Sequence, residues 1–599
     1  MITDTNLLLG TTSVFWNLQS LYPAPDSPEI QQDMTRCLKL AEILAAEVGG
    51  QVAGLDAGAI NQVVQRLEEI DTFLARLETY AFLRFIIQTD NASASFLLQQ
   101  VEELEARVGK LTIFFQLEWN RIDAEAVNQH LQQPELHYYG HYLRTLRLSA
   151  PHQLSTKEEE LLQELRPVGR SSWNLLFEKL LGQMQFGPQG RTEEEVLSDL
   201  YHPDRQVRIN GAEELTDGLQ RNLHILTHIF NTLAAEKMID DRLRRYPTWI
   251  SAMNLANELQ DRTVETLVEA VTSRYTLVHQ YYGLKKQLLG YEELFDYDRY
   301  APVPGGEEAL VPWEQCREIV LTAFAGFSPE MAAIAARFFD ENWIHAPLLP
   351  GKRGGAFAHP CVPDVHPYIL VNYTGNMRDV STVAHELGHG VHQVLAAEQG
   401  FYNSNAPLVL AETASVFAEL LVFKAQLAHM STLKARQAFV CQKLESIFAT
   451  VFRQVAMHHF EAAMHNGRRQ HGEMAAEQLS DFWLSTQKPM FGDSVTLSEN
   501  YAIWWAYISH FLGTPGYVYS YAFGELLVLA LYSRYLEQGA DFVDRYMQLL
   551  RAGGNNAPDV LLQPFGIDLN DPAFWHGGLS LIEQMLKEAE QEVKTCDTH

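Results

Sequence analysis

Apolar side chains recur at spacings of three and four residues along most of the chain, which is the pattern of amphipathic α-helices. Two such stripes near the N-terminus are Leu67, Ile70, Leu74, Leu77 and Ala81, and Leu97, Val101, Leu104, Val108 and Leu111. Packing in an ordinary helical core accounts for both stripes, so neither one carries a functional prediction. The pattern as a whole predicts a mainly α protein.

Glycine and proline interrupt the helical pattern at three places, which are Phe186–Val196, Ala301–Trp313 and Ala346–Asn376. At the first of these, Thr192 and Glu195 have the spacing of a capping box, which marks the start of a new helix. We predict a domain boundary at this point, with an N-terminal helical domain at residues 1–190 and a second domain at residues 191–599.

The third interruption, Ala346–Asn376, is the least helical part of the chain. It is rich in proline and glycine, and it contains the run YILVNY at Tyr368–Tyr373. The β-branched and aromatic residues of this run favour a strand. We therefore predict a small β-sheet here, directly before the helix that carries the candidate metal motif.

The segment Asp379–Glu398 has the periodicity of a helix. Asp379 or Ser381 is placed to cap its first turn, and Gly400 is placed to end it. Within this helix, the run STVAHELGHGVHQ at Ser381–Gln393 contains two histidines four residues apart, and a glutamate follows the first.

This HExxH spacing is suited to binding one metal ion. Positions i and i+4 lie on one helix face about 6 Å apart, so His385 and His389 can share an ion through their ring nitrogens. Glu386 lies about 100° around the helix, from where its carboxylate can reach a metal-bound water without binding the metal. His392 projects on the same side, but it lies about 10 Å along the axis from His385 and converges poorly on the same ion. We expect His392 to pack beside the site.

A catalytic zinc site needs a third protein ligand and an open fourth position. The strongly apolar helix predicted at Pro407–Phe423 carries two carboxylates, Glu412 and Glu419. Burying an unpaired carboxylate is costly and a cation is its best partner, so we take Glu412 as the third ligand. Glu419 shares the helix face further along, where it can accept the second N–H of a ligating histidine. A salt bridge is the alternative for Glu419.

Blocks of sequence along the whole chain resemble the oligoendopeptidase F branch of the thimet oligopeptidase-like zinc metallopeptidases. The matching blocks are, in chain order, FWNLQSLYPAPDSPEIQQDM, YHPDRQVRINGAEEL, DYDRYAPVP, PYILVNYTGN, GNMRDVSTVAHELGHGVHQ, LAETASVFAE and HFLGTPGYVYSYAFGELL. Several ordered blocks are far more specific than HExxH alone. The resemblance implies a mainly α fold, with two helical halves around a deep substrate cleft and the small sheet beside the zinc helix. It also implies that residues 191–599 form the catalytic zinc metallopeptidase domain.

For the metal centre, the resemblance implies one Zn²⁺ per chain, bound by His385, His389 and Glu412. It implies Glu386 as the general base and Glu419 as the carboxylate behind the metal ligands. These are the same residues that the spacing and the buried carboxylates indicate.

The resemblance also implies a late histidine and two tyrosines that face the scissile bond, here His510, Tyr517 and Tyr521. His510 and Tyr517 are the expected catalytic residues of this group, and Tyr521 is expected to bind substrate. A phenol or imidazole aimed at the oxyanion of peptide hydrolysis contributes about 3 kcal/mol. The alternative is a set of core aromatic residues after a loop at GTPG. The branch often has an aromatic residue directly before the first tyrosine, where this chain has Gly516, so the resemblance does not specify the loop shape or the local specificity here.

The segment Gly351–Ala358 is predicted to form an exposed sheet edge. A bound peptide can add to such an edge through main-chain hydrogen bonds, which suits the recognition of many sequences. We take Gly355 and Ala356 as candidate substrate-binding residues, and a plain structural hairpin is the alternative.

Acidic residues outnumber basic residues 75 to 45, which gives a formal net charge of −30. A polyanionic surface repels phosphates, so we expect neither nucleic-acid binding nor binding to an anionic membrane. No apolar run is long enough for a membrane span, and the N-terminus lacks the positive charge of a secretory signal. The five scattered cysteines do not have the spacing of a disulfide framework or a cysteine zinc site. These features favour the cytoplasm, and the sequence does not specify an oligomeric state.

We therefore predict a zinc-dependent endopeptidase that hydrolyses internal bonds of short unstructured oligopeptides, with a zinc-bound water activated by Glu386. Two alternatives stay open. One is a peptide-binding protein without activity, and the other is a metal-dependent enzyme of another class, such as an amidase or a deaminase.

A second histidine-rich run, HHFEAAMH at His458–His465, resembles a metal site at first sight. Its spacing matches neither HExxH nor HxxEH. We predict a polar helix face there.

Overall fold

The computed structural model describes residues 4–305 and 310–596 of the chain. Within these residues the chain is mainly α-helical, as predicted, and it forms one small sheet. The helices before the sheet are α1 Asp4–Leu9, α2 Pro28–Val48, α3 Ala57–Ile86, α4 Ala92–Thr112, α5 Phe114–Trp119, α6 Ala124–Leu131, α7 Gly140–Leu148, α8 Thr156–Leu165, α9 Arg170–Gln183, α10 Glu193–Asp199, α11 Arg205–Arg244, α12 Ser251–Ala256, α13 Asp261–Thr272, α14 Thr276–Leu289, α15 Trp313–Phe327 and α16 Pro329–Asp340.

The sheet consists of β1 Ile344–His345, β2 Phe357–His359 and β3 Tyr368–Leu370. The helices after the sheet are α17 Met377–Ala396, α18 Phe401–Ser404, α19 Leu408–His429, α20 Leu433–Thr450, α21 Phe452–His471, α22 Ala476–Phe491, α23 His510–Gly513, α24 Tyr519–Gln538, α25 Ala540–Ala552, α26 Pro558–Leu562 and α27 Pro572–Cys596. In the part of the chain that the structure describes, no helix has both the length and the apolar character that a membrane span requires.

The chain divides into two compact units, and each unit is built from three separate segments. Unit 1 comprises Met1–Ala150, Glu308–Ala428 and Tyr535–Ile567, and unit 2 comprises Pro151–Glu307, His429–Arg534 and Asp568–His599. Neither unit is one continuous stretch of sequence. The predicted sequence domains 1–190 and 191–599 stay a prediction, and residues 306–309 of the second predicted break lie outside the described residues.

In unit 1, helices α2, α3 and α4 pack against one another around a hydrophobic core. The two predicted apolar stripes lie on α3 and α4, and most of their side chains are buried, so both helix predictions are confirmed. Strand β3 contributes Tyr368 and Leu370 to the same core. The sheet is therefore anchored to the helical part of its own unit.

The three strands lie in the order β1-β3-β2, with β1 parallel and β2 antiparallel to β3. The central residue Ile369 pairs with Ile344 on one side and with Ala358 on the other. Strand β3 falls inside the YILVNY run, as predicted, and β1 begins just before the predicted segment. Helix α17 packs on β2 and β3, so the predicted sheet beside the HExxH helix is confirmed.

In unit 2, the long helix α11 packs against α9, α21 and α22 around a core rich in aromatic side chains. Thr192 and Glu195 form the predicted capping box at the start of α10, where each side chain binds the other residue's backbone N–H. The start of this helix was therefore readable from local sequence.

The predicted polar helix face at His458–His465 is buried and not exposed to solvent. These residues lie on α21, where His458, Glu461 and His465 are 9%, 0% and 3% exposed. The Trp249 ring lies 5.4 Å from that of His458 and stacks on His465 at 5.2 Å between ring centroids. Polar residues at helical spacing look the same whether the face is solvated or covered, so the sequence could not show this burial.

Candidate metal centre

Helix α17 is capped by Asn376, not by Asp379 or Ser381 as predicted. The Asn376 side-chain oxygen accepts the backbone N–H of Asp379 at 2.9 Å. The Asp379 carboxylate instead accepts the backbone N–H groups of Thr374 and Gly375 at 2.7 and 2.9 Å. It thereby fixes the turn between the sheet and the helix.

The C-terminal end of α17 and the bounds of α19 are closer to those predicted from the sequence. Helix α17 ends at Ala396, and a short 3₁₀ turn leads to Gly400, whose φ of 78° is in the left-handed region. Helix α19 covers the predicted apolar segment and extends beyond it to His429.

The approach of α19 to α17 depends on Gly388, inside the HExxH motif. A Cβ atom at this position would lie 2.5 Å from the carbonyl oxygen of Ala414 and 2.6 Å from the Cα of Ser415. These are backbone atoms that cannot rotate away, so a side chain here would push the two helices apart. Position 388 is one of the two variable positions of the motif, so sequence reasoning missed its role.

The two histidines and Glu412 converge as the sequence predicts. The Oε2 atom of Glu412 lies 3.3 Å from Nε2 of His385 and 3.5 Å from Nε2 of His389. One ligand atom from each of the three residues lies within 4.8 Å of the others, and among the described residues no other group of histidine, cysteine, aspartate or glutamate side chains does so. Two imidazoles and one carboxylate are the donor set of many catalytic zinc sites, so these residues fit a divalent metal ion.

Glu419 lies behind the first histidine. Its Oε2 atom is 3.5 Å from Nδ1 of His385, which leaves Nε2 of that ring directed toward Glu412. Burial lowers the pKa of His385, but the hydrogen bonds to Glu412 and Glu419 outweigh it and raise the pKa to about 10. The pKa of Glu412 would rise on burial, but the two imidazoles hold it well below its usual range. The site therefore strongly favours a positive charge.

Glu386 is 6% exposed and lies on α17, the helix that packs on β2 and β3. Burial raises the pKa of Glu386 above its usual range, while His385, His389 and the backbone of Ala358 oppose that rise. The Gln393 side chain donates a hydrogen bond to the Ala358 carbonyl at 3.3 Å, which ties β2 to the same helix. Glu386 is therefore a buried carboxylate beside the group formed by His385, His389 and Glu412.

Two further side chains complete this region. Ser415, which the sequence analysis did not select, donates its hydroxyl to Oε2 of Glu412 at 2.9 Å and so orients the carboxylate. Its only sequence signal is its place three residues after a ligand. His392 is buried, burial lowers its pKa to about 4, and it is not part of the metal-binding group.

The late histidine and tyrosines form a second group, which belongs to unit 2. Nε2 of His510 lies 3.2 Å from the Tyr521 hydroxyl, and the rings of Tyr517 and Tyr521 pack edge to face at 4.9 Å. Residues 514–518 form the predicted loop between α23 and α24. Tyr519 is fully buried, whereas Tyr517 and Tyr521 are only partly buried, so the core-aromatic alternative describes Tyr519.

The candidate peptide-binding residues lie directly before the edge strand β2. Gly355 is exposed with φ of 82°, and its carbonyl accepts a hydrogen bond from the Asn372 side chain at 2.9 Å. Ala356 is partly buried and precedes the first residue of β2. Among the described residues, β2 pairs with β3 on one side only and is an edge strand, but it includes only Phe357 and Ala358 of the predicted segment Gly351–Ala358, and both are partly buried. The binding role of Gly355 and Ala356 stays a prediction.

The helix crossing at Gly388 generates a prediction. Gly388→Ala should weaken the binding of a divalent metal ion by about 10–100-fold, because the added Cβ displaces the helix that carries Glu412. Competition with a chromophoric chelator measures the affinity. Gly326→Ala is the matched control, since its Cβ meets no atom within 4 Å in the same unit. Equal affinities of Gly388→Ala and wild type would show that the crossing does not set ligand geometry.

Two family descriptions match the chain. "Peptidase family M3" matches residues 199–581, which include every member of the metal-binding group, and "Oligopeptidase F" matches residues 118–186. The first match alone covers more than half of the chain.

Relatives over nearly the full length agree with these matches. Oligopeptidase PepF of Bacillus subtilis is 27% identical over 96% of this chain and 87% of its own length. An oligoendopeptidase F homolog of Borreliella burgdorferi is 24% identical over 89% of this chain and 91% of its own length. The crystal structure of oligoendopeptidase-F from Enterococcus faecium has the same fold, with a TM-score of 0.71 and a sequence identity of 22%. The match covers 95% of this chain and 98% of that one. The chain therefore belongs to peptidase family M3, in its oligoendopeptidase F branch, and is a metalloendopeptidase that acts on peptides.

Proposed function

We propose that this chain is a zinc-dependent endopeptidase that cleaves internal bonds of short unstructured oligopeptides. The main support for this proposal is that His385, His389 and Glu412 converge beside the buried Glu386. The names of the relatives, oligopeptidase and oligoendopeptidase F, support oligopeptides as the substrate class.

His385, His389 and Glu412 would hold the ion. Imidazole ligands suit zinc far better than magnesium or calcium, which prefer oxygen ligands throughout. When bound, the ion supplies Lewis acidity, which polarises the scissile carbonyl and makes an attacking water more acidic. Glu419 keeps the His385 ring in the orientation that presents Nε2.

Glu386 acts as the general base in this proposal. Its carboxylate takes a proton from the attacking water and delivers it to the leaving amine, so that the peptide bond breaks without releasing a free amide anion. Burial supports this role, because it raises the pKa of Glu386 and makes the carboxylate a stronger base than an exposed one.

Tyr517 and His510 stabilise the oxyanion that forms on the scissile carbonyl, and Tyr521 binds substrate. The resemblance of their sequence block to the family supports these roles, and so does their mutual packing. Burial lowers the pKa of His510, which favours the neutral ring as a hydrogen-bond partner.

Gly355 and Ala356 bind the substrate main chain in this proposal. They lie where a peptide can extend the sheet beyond β2, and main-chain pairing gives affinity without selecting one sequence. We also propose that the protein is located in the cytoplasm, because its composition is acidic and its cysteines are scattered. Residues 191–599 are the proposed catalytic domain.

Cleavage of short peptides tests the proposed activity. Purified protein with Zn²⁺ should cut internally quenched oligopeptides and leave a folded protein intact, and a chelator should abolish turnover until Zn²⁺ is restored. Mass spectrometry should find two peptide products whose masses sum to that of the substrate plus one water. Products with only a side-chain amide or a ring amine hydrolysed would instead support the amidase or deaminase alternative.

Glu386→Gln separates an enzyme from a binding protein. Turnover should fall by about 10²–10⁴-fold because the neutral amide cannot accept the water proton, while bound zinc should be unchanged. Steady-state kinetics and metal analysis measure the two quantities. Glu398→Gln is the matched control, since it makes the same change at an exposed position just beyond α17. Unchanged turnover in Glu386→Gln would argue against the proposed base.

Tyr517→Phe tests the oxyanion role. Removing the hydroxyl should lower kcat by about 10²–10³-fold with little change in KM, because the lost hydrogen bond forms in the transition state. Tyr201→Phe, at a tyrosine that is 53% exposed in the same unit, is the control. A rise in KM at constant kcat would assign Tyr517 to substrate binding instead.

A further inference from the structure

The loop that carries Tyr517 is fixed from two sides. On one side, the backbone N–H of Gly516 donates a hydrogen bond to Oε1 of Glu461 at 2.8 Å. On the other side, the Asn257 side chain donates to the Tyr519 hydroxyl at 2.7 Å. Tyr517 lies between these two anchors, and its own backbone N–H donates to the Thr514 carbonyl at 3.2 Å.

The shape of this loop requires glycine at position 516. Gly516 has φ of 82°, a conformation that side-chain-bearing residues rarely adopt. A Cβ atom would also lie 3.3 Å from the Cβ of Met253 and 3.4 Å from Cδ1 of Ile250. An aromatic residue at this position would therefore need a different backbone, which explains the departure from the family pattern.

Glu461 is an unusual choice for a backbone acceptor. It is 0% exposed in the middle of α21, and its other oxygen, Oε2, makes no hydrogen bond to the described residues. His458 and His465 flank it on the same helix, and Trp249 covers both of these rings. Burying a carboxylate in such surroundings is destabilising, and burial raises its pKa to about 8.

The hydrogen bond to Gly516 is what this buried carboxyl group provides. It fixes the Pro515–Gly516 peptide plane, one residue before Tyr517, so it restricts where the Tyr517 ring and hydroxyl point. A rigidly held catalytic group costs no reorganisation when the transition state forms, and a displacement of 1 Å can lower a rate by about 100-fold.

We propose that Glu461 is a positioning residue for catalysis, which holds the Gly516 backbone and thereby sets the orientation of the Tyr517 hydroxyl. The inference rests on the proposed function of Tyr517. Glu461 itself does not touch the substrate.

Variants at position 461 provide the first test. Glu461→Leu removes the acceptor at similar volume and should lower kcat by about 10–100-fold with little change in KM. Glu461→Gln keeps an oxygen acceptor and should stay within about threefold of wild type. Glu461→Asp, which withdraws the carboxylate by one methylene group, should fall between them and serves where Glu461→Leu does not fold. Glu473→Leu, at an exposed site in the same unit, is the control.

A double-mutant cycle distinguishes positioning from a general structural role. If Glu461 acts through the Tyr517 hydroxyl, adding Glu461→Leu to the Tyr517→Phe variant should lower the kcat of that variant by less than about threefold. Additive losses in the cycle would overturn the proposal. Equal losses in Glu461→Gln and Glu461→Leu would overturn it as well, because the acceptor would then be irrelevant.

Hydrogen–deuterium exchange gives a readout that does not depend on turnover. Amides of residues 513–518 should exchange faster in Glu461→Leu than in wild type and Glu461→Gln, while the peptide covering α17 should be unchanged. Unaltered exchange at 513–518 would contradict the anchoring itself. If the wild-type protein fails to cut peptides, the proposed function is contradicted. If the wild type is active but the losses in kcat from the substitutions at 461 and 517 are additive, only the role of Glu461 is contradicted.

Discussion

Charge balance around two imidazoles is the constraint on which the metal centre depends. Glu386, Glu412 and Glu419 all approach the pair formed by His385 and His389, and the side chains of this group are partly buried except Glu386, which is buried. The hydrogen bonds to Glu412 and Glu419 raise the pKa of His385, so this arrangement favours a positive charge. A divalent ion would supply that charge, which couples ion binding to the stability of this region.

Close packing of two helix backbones places the Glu412 carboxylate beside the two histidines. Two helices cross so closely at Gly388 that the chain segment after Ala414 lies against the HExxH helix itself. Ser415 then orients the carboxylate that this crossing provides, and Gln393 ties the same helix to strand β2. Helix α17 carries Glu386, lies against the helix that carries Glu412 at Gly388, and packs on β2, so the proposed base, the proposed ligand and the sheet edge share one support.

The parts of this structure that depend on local sequence were predictable. The i, i+4 spacing of His385 and His389 follows from helix geometry, and Glu412 could be selected because a carboxylate in an apolar helix needs a partner. The helices and the strand within YILVNY follow from periodicity and residue type. Even here the N-cap was misassigned, since Asn376 and Asp379 are both good caps and their bonding decides between them.

What the sequence could not show arises from contacts between distant segments. Gly388 occupies a position that HExxH leaves variable, and its importance appears only when α19 lies against it. Glu461 and its histidine neighbours resemble a solvated face until Trp249 covers them. The interleaving of the two units is likewise invisible in composition or spacing, because it is a property of how six segments associate.

That interleaving has a consequence for how the protein matures on the ribosome. Each unit takes its final segment from the C-terminal part of the chain, and α25, which packs on the HExxH helix, belongs to Tyr535–Ile567. Domains that are continuous in sequence can fold one after another during synthesis, N-terminal first. Here neither unit has all of its segments until the chain has been made past Tyr535, so neither can complete its fold while only its first segment has left the ribosome.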